Sequence, residues 1–138
     1  MFKSVEKKFR RDFEALNEVF DFVAEYFELC QIKQSNSFEI NLAIEELFTN
    51  IVKYQSEGEN DISIELKREN NDFTIIITDF DVNYFDITRS PDVDINRPLE
   101  ERKDGGLGLF LVRKMMDKVE YEYKNRTSRI TITKILEN

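Results

Sequence analysis

The sequence predicts an α/β (α+β) two-layer sandwich, with one mostly antiparallel sheet and its helices packed on one face. Three observations predict it. Apolar residues alternate in some stretches and recur at gaps of three and four in others. The two patterns interleave as strand, helix, helix, strand, strand, irregular segment, helix, strand, strand. Only four glycines and two prolines interrupt 138 residues, so the elements are long and the punctuation is concentrated.

Residues 2–9 alternate weakly and read as a short edge strand. From Phe13 the apolar positions are Leu16, Val19, Phe20, Val23 and Phe27, the stripe of an amphipathic helix. Ser35, Asn36 and Ser37 offer N-cap groups to a second helix that runs to about Gln55 and ends near Gly58. Ile62, Ile64 and Leu66 alternate across 61–68, and Phe73, Ile75 and Ile77 across 72–80. Asn70-Asn71 between them is a turn, so the pair is a hairpin. An irregular stretch over 82–104 holds both prolines, Pro91 and Pro98. Helical spacing returns over 106–117 through Leu107, Phe110, Leu111 and Met115. Two final strands, Lys118–Tyr123 and Arg129–Leu136, are joined by a turn at Asn125–Ser128. No repeat or linker is visible, so residues 1–138 are expected to form one domain.

Composition narrows the function. A net charge of −8 disfavours a uniform affinity for nucleic acid or anionic membrane and favours a basic partner surface. Histidine is absent, which excludes His-dependent triads and His metal sites. Cys30 is the one cysteine, so no internal disulfide forms and a reducing compartment is expected. No apolar run reaches the ~18–20 residues of a membrane span, and the N-terminus has no signal-peptide core. A soluble, cytoplasmic protein is expected.

Three places can carry chemistry. In the second helix Ile40, Ile44, Leu47 and Ile51 form the apolar stripe, with Glu46 and Asn50 four apart at its rim. A carboxamide oxygen there suits a hydrated Mg²⁺, and the neighbouring carboxylate suits a general base. Residues at a helix rim are otherwise ordinary solvated polar groups. Asp79 ends a strand of buried character, where a carboxylate needs donors such as an amino-purine's NH₂; the plainer reading is a loop aspartate. Gly105, Gly106 and Gly108 open the last helix, where bare backbone N–H groups and the helix dipole favour phosphate. The cluster is neither a Walker A nor a Rossmann fingerprint, and a flexible loop-to-helix junction would look the same.

In order and spacing these segments resemble the GHKL ATPase superfamily, the Bergerat fold, and within it the anti-sigma factor serine kinases of partner-switching systems. Glu46-Leu47-Phe48-Thr49-Asn50 is similar to the N box, E-x-x-x-N. Asp79 through Asp86, DFDVNYFD, resembles a G1 box in which Asp81 and Asn83 replace glycines. Gly105-Gly106-Leu107-Gly108-Leu109 is similar to the G2 box. The resemblance implies ATP and Mg²⁺ as ligands. It implies Asn50 on the metal, Glu46 as base toward a serine hydroxyl, and Asp79 on the adenine amine. Asp81 would lie beside the nucleotide, Gly105, Gly106, Leu107, Gly108 and Leu109 would line the phosphate site, and Thr131 would stand near the adenine pocket. Residues 87–104 would form the ATP lid, with Arg89, Arg97, Arg102 or Lys103 meeting phosphate charge. The implied function is an anti-sigma factor that phosphorylates a STAS-type antagonist and sequesters a sigma factor, in a homodimer as in relatives. The alternative is a non-catalytic protein-binding module of the same fold with weak nucleotide binding or none.

Overall fold

A computed structural model describes residues 2–54, 58–84 and 106–137, with the backbone alone for 106–109. Its elements are β1 (Val5–Phe9), α1 (Leu16–Leu29), α2 (Ser37–Tyr54), β2 (Ile62–Glu69), β3 (Asp72–Phe80), α3 (Gly106–Met115), β4 (Lys118–Lys124) and β5 (Thr127–Ile135). Short 3₁₀ turns at Phe13–Ala15 and Gln34–Asn36 lead into α1 and α2. The sheet order is β1-β2-β3-β5-β4 and every pair is antiparallel. The expected strand near the N-terminus is indeed an edge strand.

The strand register explains why one face is dry. Ile64 pairs with Ile77 and Leu66 with Ile75, while Ile75 and Ile77 pair with Ile132 and Ile130 on the other side. Side chains alternate along a strand, so all of these point to one face, and all are buried. The helices cover that face. α1 contributes Val19, Val23, Tyr26 and Phe27, and α2 contributes Ile40, Ala43, Ile44, Leu47, Phe48 and Ile51. Each fully buried Leu, Ile or Phe is worth roughly 1.5–3 kcal/mol against exposure, so this face supplies most of the driving force.

Two local expectations change. Asn36 does not cap α2. Its Nδ2 donates to the carbonyls of Lys33 (3.1 Å) and Glu137 (3.2 Å), and its Oδ1 accepts from the Glu137 N–H at 2.8 Å. A 3₁₀ turn leads into the helix, with the Ser37 hydroxyl on the Gln34 carbonyl at 2.7 Å. The last hairpin is also tighter than the expected Asn125–Ser128 turn. Asn125 and Arg126 alone form it, both left-handed at φ 52° and 60°, the conformation whose twist suits a two-residue hairpin.

Anchoring contacts fix which way the helices run. Lys134, paired with Phe73 near the start of β3, donates from Nζ to Glu39 Oε2 at 2.9 Å and to the Met115 carbonyl at 2.7 Å. The first turn of α2 and the last of α3 therefore meet at that end of the sheet. α2 has 18 residues and β3 has 9; they extend about 27 Å and about 30 Å. Asn50, late in α2, is thus brought to the same far end as Asp79, late in β3. The glycine-bearing start of α3 faces that end too. α1 begins there as well, because the carbonyl of Cys30, just past its last residue, accepts from Arg68 Nη1 at the opposite end.

Candidate functional site

Glu46 and Asn50 share one rim of α2, as their spacing predicts. Glu46 is half-buried, and burial together with the neighbouring Glu45 carboxylate raises its pKa above the ordinary range. A glutamate tuned upward is a better proton acceptor near neutral pH. Asn50 is buried, and among the described residues its Nδ2 has no hydrogen-bond partner. A buried carboxamide left incomplete costs free energy unless a ligand completes its surroundings.

Asp79, next to last in β3, lies on the helix face, and its side chain is 0% exposed. A buried carboxylate needs a counter-charge. Arg11, in the loop before α1, supplies it as a two-pronged pair: Nη1 donates to Oδ2 at 3.2 Å and Nη2 to Oδ1. Nη2 also donates to the Asn60 carbonyl at 3.2 Å. The guanidinium lies so close to Gly58 that a Cβ there would stand 2.5 Å from Arg11 Cζ. Arg11 therefore joins three chain segments at the site. Sequence reading missed it, because its partner is 68 residues away.

Asp81 stands two residues beyond Asp79 in a left-handed conformation at φ 56°, one that aspartate tolerates better than most residues. Its side chain is exposed and accepts from Arg126 Nε at 2.8 Å, so the extra carboxylate is neutralised from outside the sheet.

Thr131 requires a correction. It pairs with Ile76, out of phase with Ile130 and Ile132, and so stands on the face of the sheet opposite Asp79. The residue that does stand beside Asp79 is Ser128, its register partner on β5, buried and on the same face. Strand parity is the signal that would have found it. Gly106, Leu107, Gly108 and Leu109 form the first turn of α3, as expected. Gly105 and the segment 87–104, with Arg89, Arg97, Arg102 and Lys103, lie outside the described residues, as do Phe85 and Asp86.

Among the described residues no group of three or more Asp, Glu, Cys or His side chains could hold a metal ion by itself. The donor set fits instead a cation shared with a ligand's phosphates, to which the protein gives little more than one carboxamide oxygen. In Asn50 the oxygen Oδ1 would be the atom to meet such a cation, while the unpartnered Nδ2 is a donor and calls for an acceptor such as a phosphate oxygen. No helix among the described residues is long and apolar enough to cross a membrane.

Comparison with known proteins places this geometry. The family described as "Histidine kinase-like ATPase domain" matches residues 9–134. A serine-protein kinase RsbW of Halalkalibacterium halodurans is 34% identical over 86 residues, covering 59% of this chain and 52% of that protein. The corresponding Listeria monocytogenes protein is 29% identical over 103 residues, covering 71% and 65%. The chain thus spans between half and two thirds of the length of these curated relatives. Among solved structures, the RsbU and RsbW domains of a Mycobacterium tuberculosis protein superpose over 99% of this chain and 33% of that one, with a TM-score of 0.71 at 12% identity. The Acinetobacter baumannii histidine kinase AdeS superposes over 99% and 70%, with a TM-score of 0.52 at 18% identity. Those likenesses concern the fold, and the match over 9–134 covers both α2 and the strand that carries Asp79: the chain belongs to the histidine kinase-like ATPase family.

Proposed function

We propose that this chain is an ATP-dependent protein-serine kinase of the anti-sigma type, which phosphorylates a STAS-type antagonist and sequesters a sigma factor. The observation that carries this reading is the pairing on α2: a buried, incompletely bonded Asn50 one turn from a Glu46 whose carboxyl is tuned upward. A binding module needs neither. The relatives named as RsbW serine-protein kinases support the same activity.

The residues divide the work as follows. Asp79, held in place by its two-pronged pair with Arg11, accepts a hydrogen bond from the adenine amine. Ser128 is placed to join it in reading the base. The first-turn N–H groups of α3 hold phosphate. Asn50 would hold Mg²⁺, which when bound supplies the positive charge that offsets the phosphates. Glu46 takes the proton from the substrate serine as its oxygen bonds to the γ-phosphorus. The bond from that phosphorus to the bridging oxygen breaks, and ADP leaves.

Radiolabel transfer from ATP to a co-encoded antagonist tests the assignment. A general base typically contributes ~10²–10⁴-fold, so Glu46→Gln is expected to bind ATP like the wild type and transfer at least ~10²-fold more slowly. Undiminished transfer removes Glu46 from the mechanism. A wild type that binds ATP and phosphorylates no cognate protein favours the binding-module reading.

A further inference from the structure

The turn that follows Asp79 lacks the glycines its family resemblance calls for, yet it adopts the left-handed bend at Asp81. The structure shows what holds it. Arg126, in the β4–β5 turn, donates from Nε to Asp81 Oδ1 at 2.8 Å and from Nη1 to Asn83 Oδ1 at 3.1 Å. Its own carbonyl accepts from the Val82 N–H at 2.9 Å. The Val82 carbonyl in turn accepts from the Tyr123 hydroxyl at 2.7 Å. Tyr84 packs edge-on against Tyr121 and Tyr123, with ring centroids 6.0 and 5.4 Å apart. Four successive residues are therefore fastened to one hairpin. Arg126 adopts φ 60°, a conformation costly for a long side chain and easy for glycine. A residue that keeps such a backbone and spends its guanidinium on both replaced positions suits a clamp better than it suits a turn.

We infer that Arg126 is a positioning residue for nucleotide binding, its clamp on Asp81 and Asn83 doing the work that glycines would otherwise do in setting the turn beside Asp79. The inference rests on the nucleotide reading above. The guanidinium of Arg126 holds the turn, so its effect is carried through Asp81 and Asn83. Both side chains are more than half exposed, and a surface pair of this kind contributes little to global stability. Its effect is therefore expected in ligand affinity and local opening, with the melting temperature nearly unchanged.

A double-mutant cycle on the full chain tests this. Mg-ATP affinity is measured by calorimetry for the wild type, Arg126→Ala, Asp81→Gly and the double variant, with hydrogen exchange at the Val82 amide as a readout free of ligand. Arg126→Ala is expected to weaken ATP binding about tenfold in the native background and less than about twofold in the Asp81→Gly background. Exchange at Val82 is expected to accelerate in Arg126→Ala, and Arg126→Lys, which keeps the charge without the fork, to recover only part of the affinity. Equal loss in both backgrounds, or no loss in either, overturns the clamp. If none of the four chains binds ATP, the nucleotide reading fails, and with it the role in binding. Val82 exchange then decides whether the clamp itself exists: unchanged exchange overturns that too.

Discussion

The two ends of the sheet treat polar side chains differently. Where β3 begins, Asn36 spends its amide on three backbone groups, and Lys134 joins the Glu39 carboxylate to the end of α3. Arg68 there ties the Cys30 carbonyl, and Asp117 Oδ2 accepts from the Ile135 N–H at 2.6 Å. Where β3 ends, Glu46 is held above its ordinary pKa and the Asn50 Nδ2 has no partner among the described residues. The first end uses polarity to close the structure. The second closes Asp79 with Arg11 but leaves the α2 rim incomplete, which a fold tolerates where a ligand supplies the missing contacts. Asn41 Oδ1, early in α2, is also unpartnered among the described residues, and nothing in the structure explains it.

That contrast can be broken by substitution. The largest effect on stability is expected at Arg11. Removing one partner of a buried pair costs about 3–5 kcal/mol, so Arg11→Met should lower the urea midpoint sharply. A second substitution, Asp79→Asn, should return part of the loss. Asn36→Ala comes next. It removes three hydrogen bonds at the closed end and should cost about 2 kcal/mol in the same titration, with ATP binding unchanged. Glu46→Gln should have a small effect of the opposite sign. The folded state holds the Glu46 proton more tightly than the unfolded chain does, so this group favours folding at low pH. Its contribution is lost as pH rises through its folded pKa. Unfolding followed against pH should show that decline in the wild type and not in the Gln variant, which is expected to be slightly more stable at neutral pH. Least of all, Asn50→Ala should move stability by no more than about 0.5 kcal/mol while abolishing Mg²⁺-dependent nucleotide binding. A large loss of stability there, with binding intact, would make Asn50 a structural residue like Asn36.

The elements were legible because each announces itself locally. The alternation of Ile62, Ile64 and Leu66 and the stripe from Ile40 to Ile51 record which side of each element is dry. The Glu46–Asn50 pair was legible for the same reason, since four residues of helix fix their relation without help from the rest of the chain. What stayed hidden depends on register. Nothing near Arg11 in sequence marks Asp79 as its partner, and nothing near Arg126 marks Asp81 and Asn83. Thr131 was drawn to the site by resemblance, but Ser128 shares its face, a distinction that appears only once β5 is aligned on β3. Asn36 looked like a cap because its neighbours are small and polar; Glu137, just past the last strand, claimed its amide instead.

The two hydrogen bonds of Lys134 carry a mechanical consequence. They fasten the last residue of α3 to the sheet and to α2, and the next turn is fastened again by the Asp117 N–H on the Thr133 carbonyl at 2.9 Å. A helix fixed at one end is a lever with its fulcrum there. α3 has 10 residues, so its arm is about 15 Å, and a tilt of about 10° carries its glycine-bearing tip through roughly 2.6 Å. A swing too small to disturb the core at the fulcrum is thus large enough at the tip to make or break a hydrogen bond to phosphate.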